Sequence, residues 1–232
     1  MFRAADHQPR LFFPNWPIPT RGAPLGRRLL IRIQLLYVPT QRDIVVANQR
    51  EPENAMPRLP YCPPDLAEPR ELVSAIRARR GGTLLNLDRM LLHSPPFASG
   101  WNGLLRAVRT ELSLPARLRE LAICAVAAIN QADYELHHHS HPFLDAGGTS
   151  EQLRALANVP AAAADSAQFT EAERAVLRAT LEITLEVRLS SDTYAALERC
   201  LASDRQVVEL IGVVATYNMV SRFLVALGIE VE

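Results

Sequence analysis

Apolar residues recur at spacings of three and four from about residue 65 to the end of the chain, and this pattern predicts a succession of α-helices. The first is expected to open at Asp65-Leu66-Ala67-Glu68, a cap residue with an acid three positions on, and to run to about Arg80, where Gly81-Gly82 stops it. Leu84, Leu85, Leu87, Met90 and Leu91 supply one face of a short second helix, and Pro95-Pro96 restarts the chain into a third, Phe97 to about Leu112. Ser113-Leu114-Pro115 then caps a fourth, about Pro115 to Asn130, apolar at Leu118, Leu121, Ala122, Ala125, Val126 and Ile129 and so expected in the core. A fifth, about Ala132 to Ala146, contains Pro142, expected to kink it, and stops at Gly147-Gly148. Residues 161–164 read as a small alanine linker. Thr170-Glu171-Ala172-Glu173 forms a second capping box, for a helix to about Val187, and helices over Asp192 to Leu201 and Asp204 to Leu227 follow. Nothing alternates as strands do, so the predicted class is all-α, with short connections that make neighbouring helices antiparallel.

Residues 1–55 differ in kind. They carry seven of the 17 prolines, eight arginines and only four acids, with no sustained period, and are expected to be a poorly ordered tail. Leu29 to Val38 is too short to span a bilayer and no small-residue cleavage site follows it. Met56, followed by Pro57-Arg58-Leu59-Pro60, reads as the natural start of the folded part, which makes 56–232 the helical domain and suggests a start codon placed too early.

Charge narrows the partners. Twenty-five basic residues balance 25 acidic ones, which removes the electrostatic footprint of a nucleic-acid binder or a polybasic membrane binder and leaves small molecules or proteins. All 25 basic residues are arginine, so chemistry that needs a lysine Schiff base or a phosphate-loop lysine is excluded. Cys62, Cys124 and Cys200 form no CxxC pair and no disulfide framework, and the reducing cytoplasm is the expected compartment. The last helix is apolar around so much of its circumference that a homo-oligomer is expected.

Ionisable groups concentrate in Tyr134-Glu135-Leu136-His137-His138-His139-Ser140-His141. Four residues apart on one helix face, Glu135 is expected to orient the His139 imidazole and fix its tautomer, with His138 close to the same face. His137 and His141 form a second such pair, flanked by Asp133 and Asp145; zinc needs three or four ligands, the chain offers no obvious third, and no metal or other cofactor is predicted. Glu120, on the apolar fourth helix one turn before Cys124, is a carboxylate in a place that is costly unless it is paired or functional. Glu120, Glu135 and His139 are therefore the candidate catalytic residues. Two carboxyls in a partly apolar cleft push each other's pKa apart, giving a donor and an acceptor.

At these residues the chain resembles the carboxymuconolactone decarboxylase and alkylhydroperoxidase D (AhpD)-like family, over about Leu66 to Glu232. One anchor is Arg119-Glu120-Leu121, then Asn130, Tyr134-Glu135-Leu136 and His139, then Ala146-Gly147; the other is Asp204-Arg205, Val208-Glu209-Leu210, Tyr217-Asn218-Met219, Arg222-Phe223 and Leu227-Gly228-Ile229-Glu230. The resemblance implies an AhpD-like helical bundle and a dimer, trimer or hexamer. It gives Glu120 the place of a proton-relay glutamate and His139 that of the site histidine, with Asn130, Tyr134 and His138 in the substrate pocket. Where the peroxidase branch has its CxxC thiols, this chain has Ala132 and Glu135, and Leu136 replaces the usual tryptophan.

Three functions are open at this level. The first is non-redox acid/base chemistry, decarboxylation or lactone and enol proton transfer on a small organic acid. In it His139 donates or shuttles the proton, Glu135 orients it, Glu120 relays, and Arg119 or Arg222 meets the substrate carboxylate. The second is an AhpD-like peroxidase that uses Cys124 or a cysteine from a neighbouring subunit, which the missing thiol pair disfavours. The third is a non-catalytic helical oligomer that binds a ligand.

Overall fold

The computed structural model describes residues 56–232; the expectations of a poorly ordered tail and an early start codon concern 1–55 and lie outside the described residues. Ten α-helices are present among the described residues: α1 (Arg70–Arg79), α2 (Asn86–Leu91), α3 (Pro95–Thr110), α4 (Ala116–Asn130), α5 (Asp133–Asp145), α6 (Ser150–Ala155), α7 (Val159–Ala164), α8 (Glu171–Glu186), α9 (Ser191–Cys200) and α10 (Asp204–Leu227), with one 3-10 turn at Leu156–Asn158. The class is all-α, as predicted.

Helix α4 is the hub, packing on α5, α8 and α10. Every residue from Glu120 to Ala127 is buried, so this helix has no solvent face along its middle. Leu121, Cys124 and Ala125 join Phe143, Leu156, Val159, Phe169 and Leu177 in one apolar cluster. Ala122, Ile123 and Val126 face a larger one built from α1, α2, α3, α8, α9 and α10. Gln131 takes a left-handed conformation (φ 54°) and turns the chain directly into α5, setting early α4 against the middle of α5. By length and composition α10 is apolar enough to cross a membrane, but its residues Val207, Leu210, Val213, Val214, Tyr217, Val220 and Leu224 are core. Much of the breadth that suggested self-association is thus covered by helices of the same chain, leaving Val208 and Val225 exposed.

Three local expectations are corrected. The first helix starts at Arg70, not Asp65: Pro69 is its N-cap, and a residue before proline is steered out of the helical region, so Glu68 cannot be its third position. Glu68 instead accepts the Arg70 amide at 2.9 Å. The alanine run is helix α7 rather than a linker, because Asn158 caps it through the Ala161 amide and Ala162 and Ala163 pack into the second cluster. The expected Ser113 cap on α4 does not form: Pro115 is the N-cap with no side-chain bond, and Ser113 Oγ donates to Glu209 instead, at 2.8 Å. The capping box expected at the start of α8 holds, with Thr170 accepting from the Glu173 amide.

Candidate active site

A carboxylate on a buried helix survives only with partners, and Glu120 has two. Its Oε2 lies 2.7 Å from His139 Nδ1, and its Oε1 accepts Arg119 Nε at 3.1 Å. The other ring nitrogen, His139 Nε2, is 3.3 Å from Tyr217 Oη on α10, and that oxygen accepts Arg109 Nε from α3 at 2.9 Å. The His139 and Tyr217 rings meet edge to face, with centroids 5.0 Å apart. These bonds fix the tautomer. A carboxylate can only accept, so Nδ1 carries the proton, Nε2 is left as an acceptor, and the Tyr217 hydroxyl donates to it. Burial lowers the His139 pKa, outweighing the hydrogen bond to Glu120, so the ring is neutral at pH 7. Burial pushes Glu120 up, but the hydrogen bond and charge of His139, together with Arg119, hold it below the ordinary carboxylate range. Burial pushes the Tyr217 phenol up to about 12, against the pull of Arg109, so it remains a donor.

Glu135 stands apart. It is 2% exposed, and its Oε2 has no hydrogen-bond partner among the described residues. Burial raises its pKa well above the ordinary value, opposed only by the charge of Arg109, and so favours the protonated acid over the carboxylate. The expected Glu135–His139 pairing is therefore corrected: the two share a face of α5, but the imidazole is held from the neighbouring helix by Glu120. Spacing places side chains on a face; it does not say which neighbour presents the better acceptor.

A cleft of about 20 Å³, room for one water, runs between α2, α3, α5 and α10 and is lined by Arg80, just beyond α1, and by Leu87, Arg109, Tyr134, Glu135, His138 and His139, among others. Of the predicted pocket residues, Tyr134 and His138 are on its wall. Asn130 is not: its Nδ2 donates to Asn218 Oδ1 (3.1 Å) and Ser221 Oγ (2.7 Å), fastening the end of α4 to α10. The proposed substrate cations are also reassigned. Arg119 is engaged with Glu120, and Arg222 hydrogen-bonds the carbonyl and side chain of Asn218; Arg109 and Arg80 line the cleft instead. Tyr217 and Arg109 are the residues that sequence reasoning passed over. The signal was a tyrosine in the apolar stripe of α10, since a buried hydroxyl demands a partner. His137 and His141 are exposed, and no group of three metal-ligating side chains occurs among the described residues.

Cys124 is fully buried in the second cluster, and burial, with Glu120 and Glu135 nearby, pushes its thiol far up in pKa. It is held as a thiol.

Residues 95–181 match the carboxymuconolactone decarboxylase family. A comparison with curated proteins finds no match. Among solved structures, an uncharacterized peroxidase-related protein from Silicibacter sp. TM1040 superposes with a TM-score of 0.63 at 16% identity, covering 79% of this chain and 95% of that one. An uncharacterized peroxidase-related protein from Ralstonia eutropha JMP134, described as an alkylhydroperoxidase AhpD core, gives 0.62 at 17% identity, covering 76% and 92%. A single-site variant of the debrominase Bmp8, in complex with 2,3,4-tribromopyrrole, gives 0.63 at 19%, covering 76% and 94%. At these identities the likeness establishes the fold.

Proposed function

Because residues 95–181 carry the carboxymuconolactone decarboxylase family pattern on an AhpD-like fold, we propose that the cleft is an acid/base site that decarboxylates, or moves a proton on, a small organic acid. One observation carries this reading: a buried glutamic side chain with an unpartnered oxygen, its pKa raised by burial, shares a cleft with an imidazole whose Nδ1 is already committed to the Glu120 carboxylate. A donor and an acceptor near neutral pH are what general acid/base catalysis requires.

In this scheme the substrate carboxylate leaves as CO₂ and the electrons of the broken C–C bond remain as an enolate. Glu135 protonates the carbon, and solvent water restores its proton. His139, oriented by Glu120, accepts and returns protons at Nε2, exchanging its bond to Tyr217 for one to substrate or water. Arg109 offsets the negative charge as it develops. Two ionised glutamates would repel an anionic substrate, and the raised pKa of Glu135 lessens that repulsion. The peroxidase alternative lacks its nucleophile, since peroxide attack needs a thiolate and Cys124 is a buried thiol.

The test follows 3-oxo acids and lactone carboxylates by NMR in D₂O, reading CO₂ loss or deuterium uptake at carbon. Glu135→Gln and His139→Gln are expected to lower turnover by about 100-fold or more, while Cys124→Ala keeps it within about threefold, a difference under ~1 kcal/mol. Wild-type rates in both site variants, or loss of turnover in Cys124→Ala alone, would overturn the scheme.

A further inference from the structure

Residues 229–232, just beyond α10, carry a carboxylate to the rim of this cleft. Their base is pinned: Ile229 is buried, the Glu230 amide donates to Tyr61 Oη at 3.0 Å, and Asn86 Nδ2 donates to the Glu230 carbonyl at 3.1 Å. What the pinned segment delivers is the side chain of Glu232. Its Oε2 is 3.0 Å from His138 Nε2, and its Oε1 accepts Tyr134 Oη at 3.1 Å and the Asn86 amide at 2.6 Å.

Tyr134 and His138 are four residues apart on α5, with ring centroids 4.4 Å apart, so their two donors stand side by side on one face. A carboxylate is a planar acceptor with two oxygens, and each oxygen here meets one of these donors. The same two side chains form the wall of the cleft that contains the unpartnered Oε2 of Glu135, and Arg80 lines that cleft as well. The Glu232 side chain is 33% exposed, so it has a path outward into solvent. A receptor for one carboxylate, next to the catalytic acid and occupied by a removable carboxylate from the same chain, is the arrangement of a substrate subsite with a built-in competitor.

We propose that Tyr134 and His138 bind the carboxylate of the substrate and that Glu232 is an intramolecular stand-in which the substrate displaces. The cleft then selects small carboxylates over their neutral analogues, and Glu232 sets the concentration at which they enter. This inference rests on the reading of the cleft as a site for small acids. A side chain tethered just beyond the end of α10 competes at an effective concentration on the order of millimolar or above, so removing it should strengthen binding of an external carboxylate without any new contact.

The experiment titrates acetate, and separately acetamide, into the full chain at constant pH and ionic strength, following the His138 ring resonance identified by its loss in His138→Gln. Acetate is expected to bind Glu232→Ala about tenfold or more tighter than wild type. Acetamide should shift neither protein, and adding Tyr134→Phe to Glu232→Ala should weaken acetate again. Equal acetate affinity in wild type and Glu232→Ala, equal response to acetamide, or no acetate binding in Glu232→Ala overturns the subsite. The readout involves no turnover, so it stands or falls separately from the loss of activity expected of Glu135→Gln. Circular dichroism of Glu232→Ala checks that the helices are intact.

Discussion

Glu120 and Glu135 are buried in adjacent helices and hold their protons on opposite terms. Glu120 is held as a carboxylate because His139 and Arg119 meet both of its oxygens; Glu135 is pushed toward its acid form because burial outweighs the charge of Arg109. The two leave opposite marks on stability. The folded-state pKa of Glu120 lies below its unfolded value, so its contribution is present above the ordinary carboxylate range and is lost as pH falls through the depressed value. His139, also lowered, loses its contribution as pH falls below the ordinary histidine range and the unfolded ring takes up a proton that the folded one refuses. Glu135 is raised, so stability declines as pH climbs from the ordinary carboxylate range toward its folded value. Urea unfolding as a function of pH should therefore show Glu135→Gln flattening the decline that sets in above the ordinary carboxylate range, while the loss at lower pH that comes from Glu120 is unchanged. A variant that flattens the acid side instead would contradict the assignment. At this scale the sequence was legible in part. The candidate trio was visible because carboxyls and an imidazole on apolar helix faces call for an explanation. Which carboxyl holds the ring was not, because that depends on how two helices face each other, and the Tyr217–Arg109 end of the chain of hydrogen bonds depends on two more.

At the level of elements, the site depends on where α5 sits, and its far end is set by a close approach. A Cβ at Gly148 would lie 2.3 Å from the ring of Phe143, which is fully buried one turn beyond His139 on the same helix. The ring has no free space to retreat into, so Gly148→Ala must shift α5 or the ring. The expected cost is about 1–3 kcal/mol, read by urea denaturation, with turnover falling along with stability because His139 moves with its helix. An alanine variant as stable as wild type would mean that the helix end yields freely. The long helices were legible from their period and caps: Thr170 and Glu173 cap α8 as read, and α10 spans Asp204–Leu227 as read. The failures lie where one residue outranked a pattern. Pro69 overrode an apparent capping box, and the alanine run became a helix because its small side chains fit against α8.

The whole chain is electrically neutral only as a sum. Residues 1–55 hold eight of the 25 arginines and four of the 25 acids, which leaves residues 56–232 with four more acids than bases. Among the described residues, the two apolar clusters draw on Tyr61 and residues beyond it, and the Arg58 amide is tied to the Leu227 carbonyl at 3.0 Å. The helical pattern in the sequence likewise takes hold only beyond Met56. A chain beginning at Met56 is accordingly expected to unfold in a single cooperative transition, with a midpoint within about 2–4 °C of the longer chain, the shift that ~1 kcal/mol produces in a domain of this size. It should also be more soluble at pH 7, because a net negative charge opposes association that a neutral chain permits. Scanning calorimetry and a precipitation curve on the two chains measure both effects. Loss of the cooperative transition in the shorter chain would mean that residues before Met56 take part in holding the helices together, and lower solubility would mean that the arginine-rich segment masks apolar surface rather than merely balancing charge.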